Sequence, residues 1–155
     1  MDSIIFRGMW ANAYSAAVGL CVSSPAMETN APRIVVVDDN RDIAEGLAIV
    51  LEAHGFEVHA GFDGGEGLRL IETLRPVAAI IDIGMPILSG YEVARQVRQR
   101  LGPAVRLIAV TGWGQLHDVA MAFEAGFDHH FTKPADPDEL VRLVREYAAD
   151  RVVPG

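Results

Sequence analysis

Cysteine is nearly absent from the 155 residues: Cys21 stands alone, so no internal disulfide can form, and no Cys/His spacing matches a zinc site. A reducing, cytoplasmic setting is expected. Basic residues are also scarce, with thirteen Lys and Arg against twenty-one Asp and Glu, for a net charge of −8. No cluster of Lys or Arg would track a phosphate backbone, which argues against direct nucleic-acid binding by these residues. Long apolar runs are lacking too. The stretch from Met9 to Val22 is too short to span a bilayer as a helix, and Trp10, Asn12, Tyr14 and Ser15 dilute it. With Arg7 ahead and Ser23-Ser24-Pro25-Ala26 behind, it has the outline of a weak signal peptide. The polar interruptions count against export, so residues 1–31 read as a disordered or loosely docked extension, with Met27 an alternative start.

From Arg33 onward, short β-branched runs alternate with segments of helical period. That alternation predicts βαβ units stacked around a parallel sheet, a doubly wound (βα)5 α/β fold. The chain length fits one domain, placed at 32–149, with a short tail at 150–155 and no linker to a second folded unit. Asn40 opens a first helix with Ile43, Leu47, Val50 and Leu51 inward and Gly55 as a left-handed stop. Asp63 caps a second helix, with Leu68, Ile71 and Leu74 inward, that Pro76 ends. Ser89 and Glu92 have capping-box spacing for a third, which carries Val93, Val97 and Leu101. A fourth helix carries Val119, Ala122 and Phe123 up to Gly126. Asp136, Pro137 and Glu139 start a fifth with Leu140, Leu143 and Val144.

Three apolar runs and a fourth segment deliver polar residues to one sheet edge. Ile34 to Val37 runs into Asp38-Asp39, Val77 to Ile81 into Asp82, Leu107 to Val110 into Thr111, and His129 to Thr132 into Lys133-Pro134. In open doubly wound sheets, ligands bind beyond the carboxyl ends of the strands. Packing three carboxylates together is costly unless a cation offsets them, so the cluster points to a divalent metal beside a reactive carboxylate. Taken singly, Asp82 reads as a loop acid, Asp38-Asp39 as a helix cap and Lys133 as a surface lysine. Asn40 can cap the helix instead, and four coordinated strand ends outweigh the separate readings.

Asp38-Asp39, then Asp82 with Met85-Pro86 and Gly90 behind it, then Thr111, then Lys133-Pro134 closely resembles the receiver domain of bacterial two-component response regulators. The likeness runs from Arg33 to about Tyr147. It implies a flavodoxin-like receiver fold and a phosphoacceptor role for Asp82, which takes a phosphoryl group from a sensor histidine kinase or a histidine phosphotransfer protein. It further implies Mg²⁺ held by Asp39, Asp82 and the backbone carbonyl of Gly84, with Asp38 acting partly through water. Lys133, aimed inward by a cis bond to Pro134, and Thr111 would contact the phosphoryl oxygens. Thr111 and the residue three before Lys133 would form the switch; many receivers carry an aromatic there, and this chain has His130. The output would be an altered protein-binding face read by an unidentified downstream protein, with phosphorylation-dependent homodimerisation left open.

Three departures carry expectations of their own. His130 would make the output face pH-sensitive, set against the plainer reading of an inert exposed histidine. Gly112 after Thr111 leaves room for phosphoryl access, and Trp113 beyond it would pack over the loop, shield the site or dock a partner. Gly84 offers no side chain to orient attacking water, so a phosphorylated state of moderate or long lifetime is expected. The Thr-Gly-Trp-Gly-Gln and Asp128-His129-His130 segments are similar to receivers attached to hybrid sensor kinases, a hint of a phosphorelay. A haloacid-dehalogenase-type phosphatase would need an Asp where Gly84 stands. A flavodoxin-like cofactor module would need a phosphate-cradling loop where Asp38-Asp39 would repel phosphate. A degenerate scaffold would lack one of the site residues.

Overall fold

Ile34 to Val37 and Ala78 to Ile81 carry no polar alternation, which suits strands covered on both faces. In the computed structural model, which describes residues 30–112 and 116–152, both runs are buried. The elements are β1 (Arg33–Val37), α1 (Arg41–Ala53), β2 (Glu57–Gly61), α2 (Gly64–Leu74), β3 (Ala78–Asp82), α3 (Gly90–Leu101), β4 (Arg106–Thr111), α4 (Leu116–Ala125), β5 (His129–Thr132) and α5 (Pro137–Val152). A 3₁₀ turn, Gly102–Ala104, follows α3. The strands pair in parallel in the order β2-β1-β3-β4-β5, which is the doubly wound flavodoxin-like arrangement. The order reverses between β1 and β3, and the acidic strand ends meet there. The expected extension at 1–31 falls, but for its last two residues, outside the described residues, and so does Trp113.

Local chemistry sets the helix ends. Asn40 Oδ1 accepts from the Ile43 amide at 3.3 Å, Asp63 Oδ1 from Glu66 at 2.7 Å, and Ser89 Oγ from Glu92 at 3.3 Å. Each such cap contributes about 1 kcal/mol. Gly55 and Gly126 take φ of +95° and +115° at the stops after α1 and α4.

Three helical faces differ in phase from the sequence reading. In α1 the buried residues are Ala44, Ala48 and Leu51, while Ile43 is exposed. Two alanines one turn apart let the helix backbone lie close to the sheet. Ile43, Leu47 and Val50 instead wall an open cavity of about 450 Å³ that reaches Asp38, Asp82, Lys133 and Pro137. In α4 the alanines at 122 and 125 are buried and Phe123 is exposed, for the same steric reason. In α5, Val141 is buried with Leu140 and Val144, and Leu143 is half-buried. That helix also runs past the expected domain end at 149, and Arg151 Nη1 donates to the carbonyl of Arg75 at 3.0 Å.

The loop from β3 to α3 is drawn tight. The Gly90 amide donates to the carbonyl of Ile83 at 3.1 Å, and a Cβ on Gly90 would lie 2.6 Å from the carbonyl oxygen of Asp82. Inside the loop, the Leu88 amide donates to the Pro86 carbonyl at 2.8 Å across Ile87, whose φ is +69°. A hydrogen bond spanning two residues around a positive φ is the strained form of the γ-turn. For a β-branched residue this conformation costs about 1–3 kcal/mol.

Candidate functional site

Strand register brings the polar strand ends together. Asp38 directly follows β1, Asp82 ends β3 and pairs with Val110, and Thr111 ends β4 and pairs with Thr132. Asp38, Asp82 and Thr111 are the buried polar residues among those described, while Asp39 is exposed. One carboxylate oxygen from each of Asp38, Asp39 and Asp82 lies within 4.8 Å of the others.

Lys133 supplies the opposing charge. Its peptide bond to Pro134 is cis, and its amide donates to the Thr111 carbonyl at 2.7 Å. Its Nζ lies 3.0 Å from Asp38 Oδ2 and 3.3 Å from Asp82 Oδ1. Asp82 Oδ1 also accepts from the Gly84 amide at 3.3 Å. Asp38 is tied on both oxygens, since its Oδ1 accepts from the Asn40 amide at 2.9 Å. Asp39 has no such ties among the described residues, which suits it to meet an ion directly.

Burial pushes the Asp82 carboxyl above its ordinary value and the charge of Asp38 pushes it further, while Lys133 and the Gly84 amide pull the other way. For Lys133, burial works against the charged form, but the hydrogen bond and charge of Asp38, with Asp82 behind, outweigh it and raise the ammonium. The balance leaves the Asp82 carboxyl above its ordinary value despite the neighbouring ammonium.

His130 stands on β5 opposite Ala109, half-buried, with Nε2 enclosed and unpartnered among the described residues. Burial lowers its pKa, Asp118 on α4 opposes that, and His129 adds to it. From α3, Tyr91 donates its hydroxyl to the backbone carbonyl of Asp118 at 3.4 Å. The sequence reading missed that link and the turn at Ile87. Neither has a sequence signal beyond the Pro86-Ile87-Leu88 order.

The model of the response regulator receiver domain matches residues 34–145. The chain belongs to the response regulator receiver family. The DNA-binding response regulator MtrA of Mycobacterium tuberculosis is 37% identical over 119 residues, which cover 77% of this chain and 51% of MtrA. An uncharacterized 14.6 kDa protein of Leptolyngbya boryana is 36% identical over 115 residues, 74% of this chain and 88% of that protein. A CheY-like receiver domain from Methanospirillum hungatei superposes with a TM-score of 0.73 at 30% identity, covering 79% of this chain and 97% of that one. The receiver therefore spans about half the length of the mycobacterial regulator it matches. Receivers are signalling domains that accept a phosphoryl group on aspartate, and in general they bind Mg²⁺. Three clustered carboxylates facing a single ammonium fit such an ion in charge and donor type.

Proposed function

We propose that this receiver takes a phosphoryl group onto Asp82 from a histidine kinase or histidine phosphotransfer protein in a Mg²⁺-dependent reaction. The observation that carries the reading is Lys133 Nζ at 3.3 Å from Asp82 Oδ1, beside a cluster of three carboxylates. An Asp82 oxygen attacks phosphorus, and the P–N bond to the donor imidazole breaks. Its electron pair stays on nitrogen, which takes a proton from solvent. Asp82 must be ionised to attack, and Lys133 helps keep it so. The ammonium then moves from carboxylate to phosphoryl oxygen, trading one charge-assisted contact for another. The Thr111 hydroxyl donates to a second phosphoryl oxygen. A bound Mg²⁺, held by Asp39, Asp82 and the Gly84 carbonyl with Asp38 through water, would offset the negative charge where donor and acceptor approach.

Action through a protein-binding face formed by α4, β5 and α5, not through direct nucleic-acid contact, is supported by the acidic balance of the chain. Thr111 and His130 would couple the phosphoryl group to that face. Open space around the Gly84 Cβ position offers no side chain to orient attacking water and supports a moderate or long phosphoryl lifetime. Among the described residues no helix is long and apolar enough to cross a membrane, and we place the receiver in the cytoplasm with its donor.

The test is intact-protein mass spectrometry after incubation with acetyl phosphate and Mg²⁺. One phosphoryl addition that disappears in Asp82→Asn and without metal is the expected result. No addition to a folded wild-type chain would leave a phosphate-independent scaffold.

A further inference from the structure

Ile87 combines two costs that a merely connecting loop would shed. Its side chain is fully exposed, at 108% of the reference value, and its backbone holds a φ of +69° that β-branched residues avoid. Glycine or asparagine would sit there with less strain. The neighbours fix the conformation. Met85 is buried in the core, and Leu88 packs against it and is closed in by Gly64, whose Cβ would fall 2.5 Å from the Leu88 carbonyl oxygen. With both flanks seated and the loop pinned from Gly90 to Ile83, Ile87 can only point outward.

Resting on the phosphoacceptor reading above, we infer that Ile87 is a specificity-determining apolar anchor for the protein phosphodonor, projected beside Asp82 by a strained turn. The loop closes at the Gly90 to Ile83 bond, so Ile87, three residues from Gly90, stands within roughly 11 Å of that closure. A donor must bring its phosphohistidine into bonding distance of Asp82, next to Ile83. Even a small transient interface of about 600 Å² per partner, centred there, covers a disc about 14 Å in radius and takes in Ile87. An isoleucine already held in one backbone conformation fills a pocket with little entropy left to lose. The matching donor carries an apolar recess next to its phosphohistidine.

Ile87→Gly and Ile87→Asn accept the positive φ and remove the apolar surface, and Ile87→Leu keeps that surface. The donor is chosen by offering the wild-type chain each histidine kinase of the source organism, autophosphorylated with ATP, and each histidine phosphotransfer protein charged from those kinases, and taking the fastest. Transfer from it should slow at least about tenfold in the Gly and Asn variants and stay near wild type in Leu. Labelling by acetyl phosphate with Mg²⁺ should be equal in all four, because that donor is too small to touch Ile87. Unchanged transfer to Ile87→Gly would overturn the inference. So would a parallel loss of acetyl phosphate labelling, or a wild-type chain that acetyl phosphate labels but no kinase or phosphotransfer protein does. Failure of the wild type with acetyl phosphate would instead bring down the phosphoacceptor reading itself.

Discussion

Arg98 Nη2 lies 2.7 Å from Asp128 Oδ2, joining the last turns of α3 to the residue before β5. The same guanidinium donates to the carbonyls of Gly126, Gly102 and Val105 at 2.7–2.8 Å, and Asp128 Oδ2 also accepts from the Leu107 amide at 2.8 Å. One side chain thus satisfies three orphan carbonyls around the start of β4. Arg98→Ala should destabilise the fold by about 2–3 kcal/mol in urea unfolding, discounted because both partners keep some solvent contact. Asp128→Asn, which still accepts from Leu107, should cost about 1 kcal/mol.

Two glycines that follow the acceptor should respond oppositely to a methyl group. At Gly90 a Cβ would meet the Asp82 carbonyl oxygen at 2.6 Å and Ile83 Cα at 2.7 Å, both of them backbone that cannot swing away. Gly90→Ala should lose about 2 kcal/mol or more. At Gly84 a Cβ meets nothing within 4 Å and the φ is not positive, so Gly84→Ala should hold or gain about 0.5 kcal/mol in the same unfolding assay.

Asp82 is raised above its ordinary 3.8 by burial and by Asp38. An acid with a raised folded pKa favours the native state below its unfolded value, and that contribution is lost as pH climbs through the folded value. At neutral pH, without metal, Asp82→Asn should therefore melt higher than wild type. The gap should close as pH falls below about 4, where both side chains are neutral. A wild type that melts higher at pH 7 would remove the repulsion from the account.

His130 tests the expected pH sensitivity. Burial holds its imidazole below the ordinary 6.5, against the pull of Asp118. A base lowered on folding contributes stability above 6.5 and loses it as pH falls through the folded value. The His130 ring should therefore titrate below 6.5 by NMR, and His130→Phe should flatten the stability loss on the acid side. Above neutral pH the two proteins should have parallel pH–stability curves.

The strand ends were legible because β1, β3 and β4 each carry a local signal, an unbroken apolar run and then a polar residue, and the Lys133-Pro134 pair marks the end of β5. Caps at Asn40, Asp63 and Ser89 were legible for the same reason. Helix phase was legible in α2 and α3, where Leu68, Ile71, Val93 and Val97 are buried as expected, and only in part in α1, α4 and α5. Ile43 and Phe123 look like core residues, yet Ala44 with Ala48 and Ala122 with Ala125 take the buried faces, because backbone closeness to the sheet decides and hydrophobicity alone does not. The outward turn at Ile87 was hidden too, since it follows from the seating of Met85 and Leu88, not from its own residue type.

Metal addition separates the three carboxylates. A ligand that binds only the native state stabilises it by RT ln(1 + [L]/Kd), about 1.4 kcal/mol at tenfold excess over Kd. Mg²⁺ should raise the melting point of wild type accordingly. Asp39 is exposed and has no partner within the cluster except through an ion, so Asp39→Asn should barely change the metal-free melting point while removing most of the Mg²⁺ response. Asp38 accepts from both the Asn40 amide and Lys133, so Asp38→Asn should lower the metal-free melting point as well, by freeing the lysine from its 3.0 Å partner. Asp82→Asn should show the reverse pairing, a higher metal-free melting point and a weakened Mg²⁺ response. If Mg²⁺ stabilised all four proteins equally, the ion would be binding elsewhere on an acidic surface and not at the strand ends.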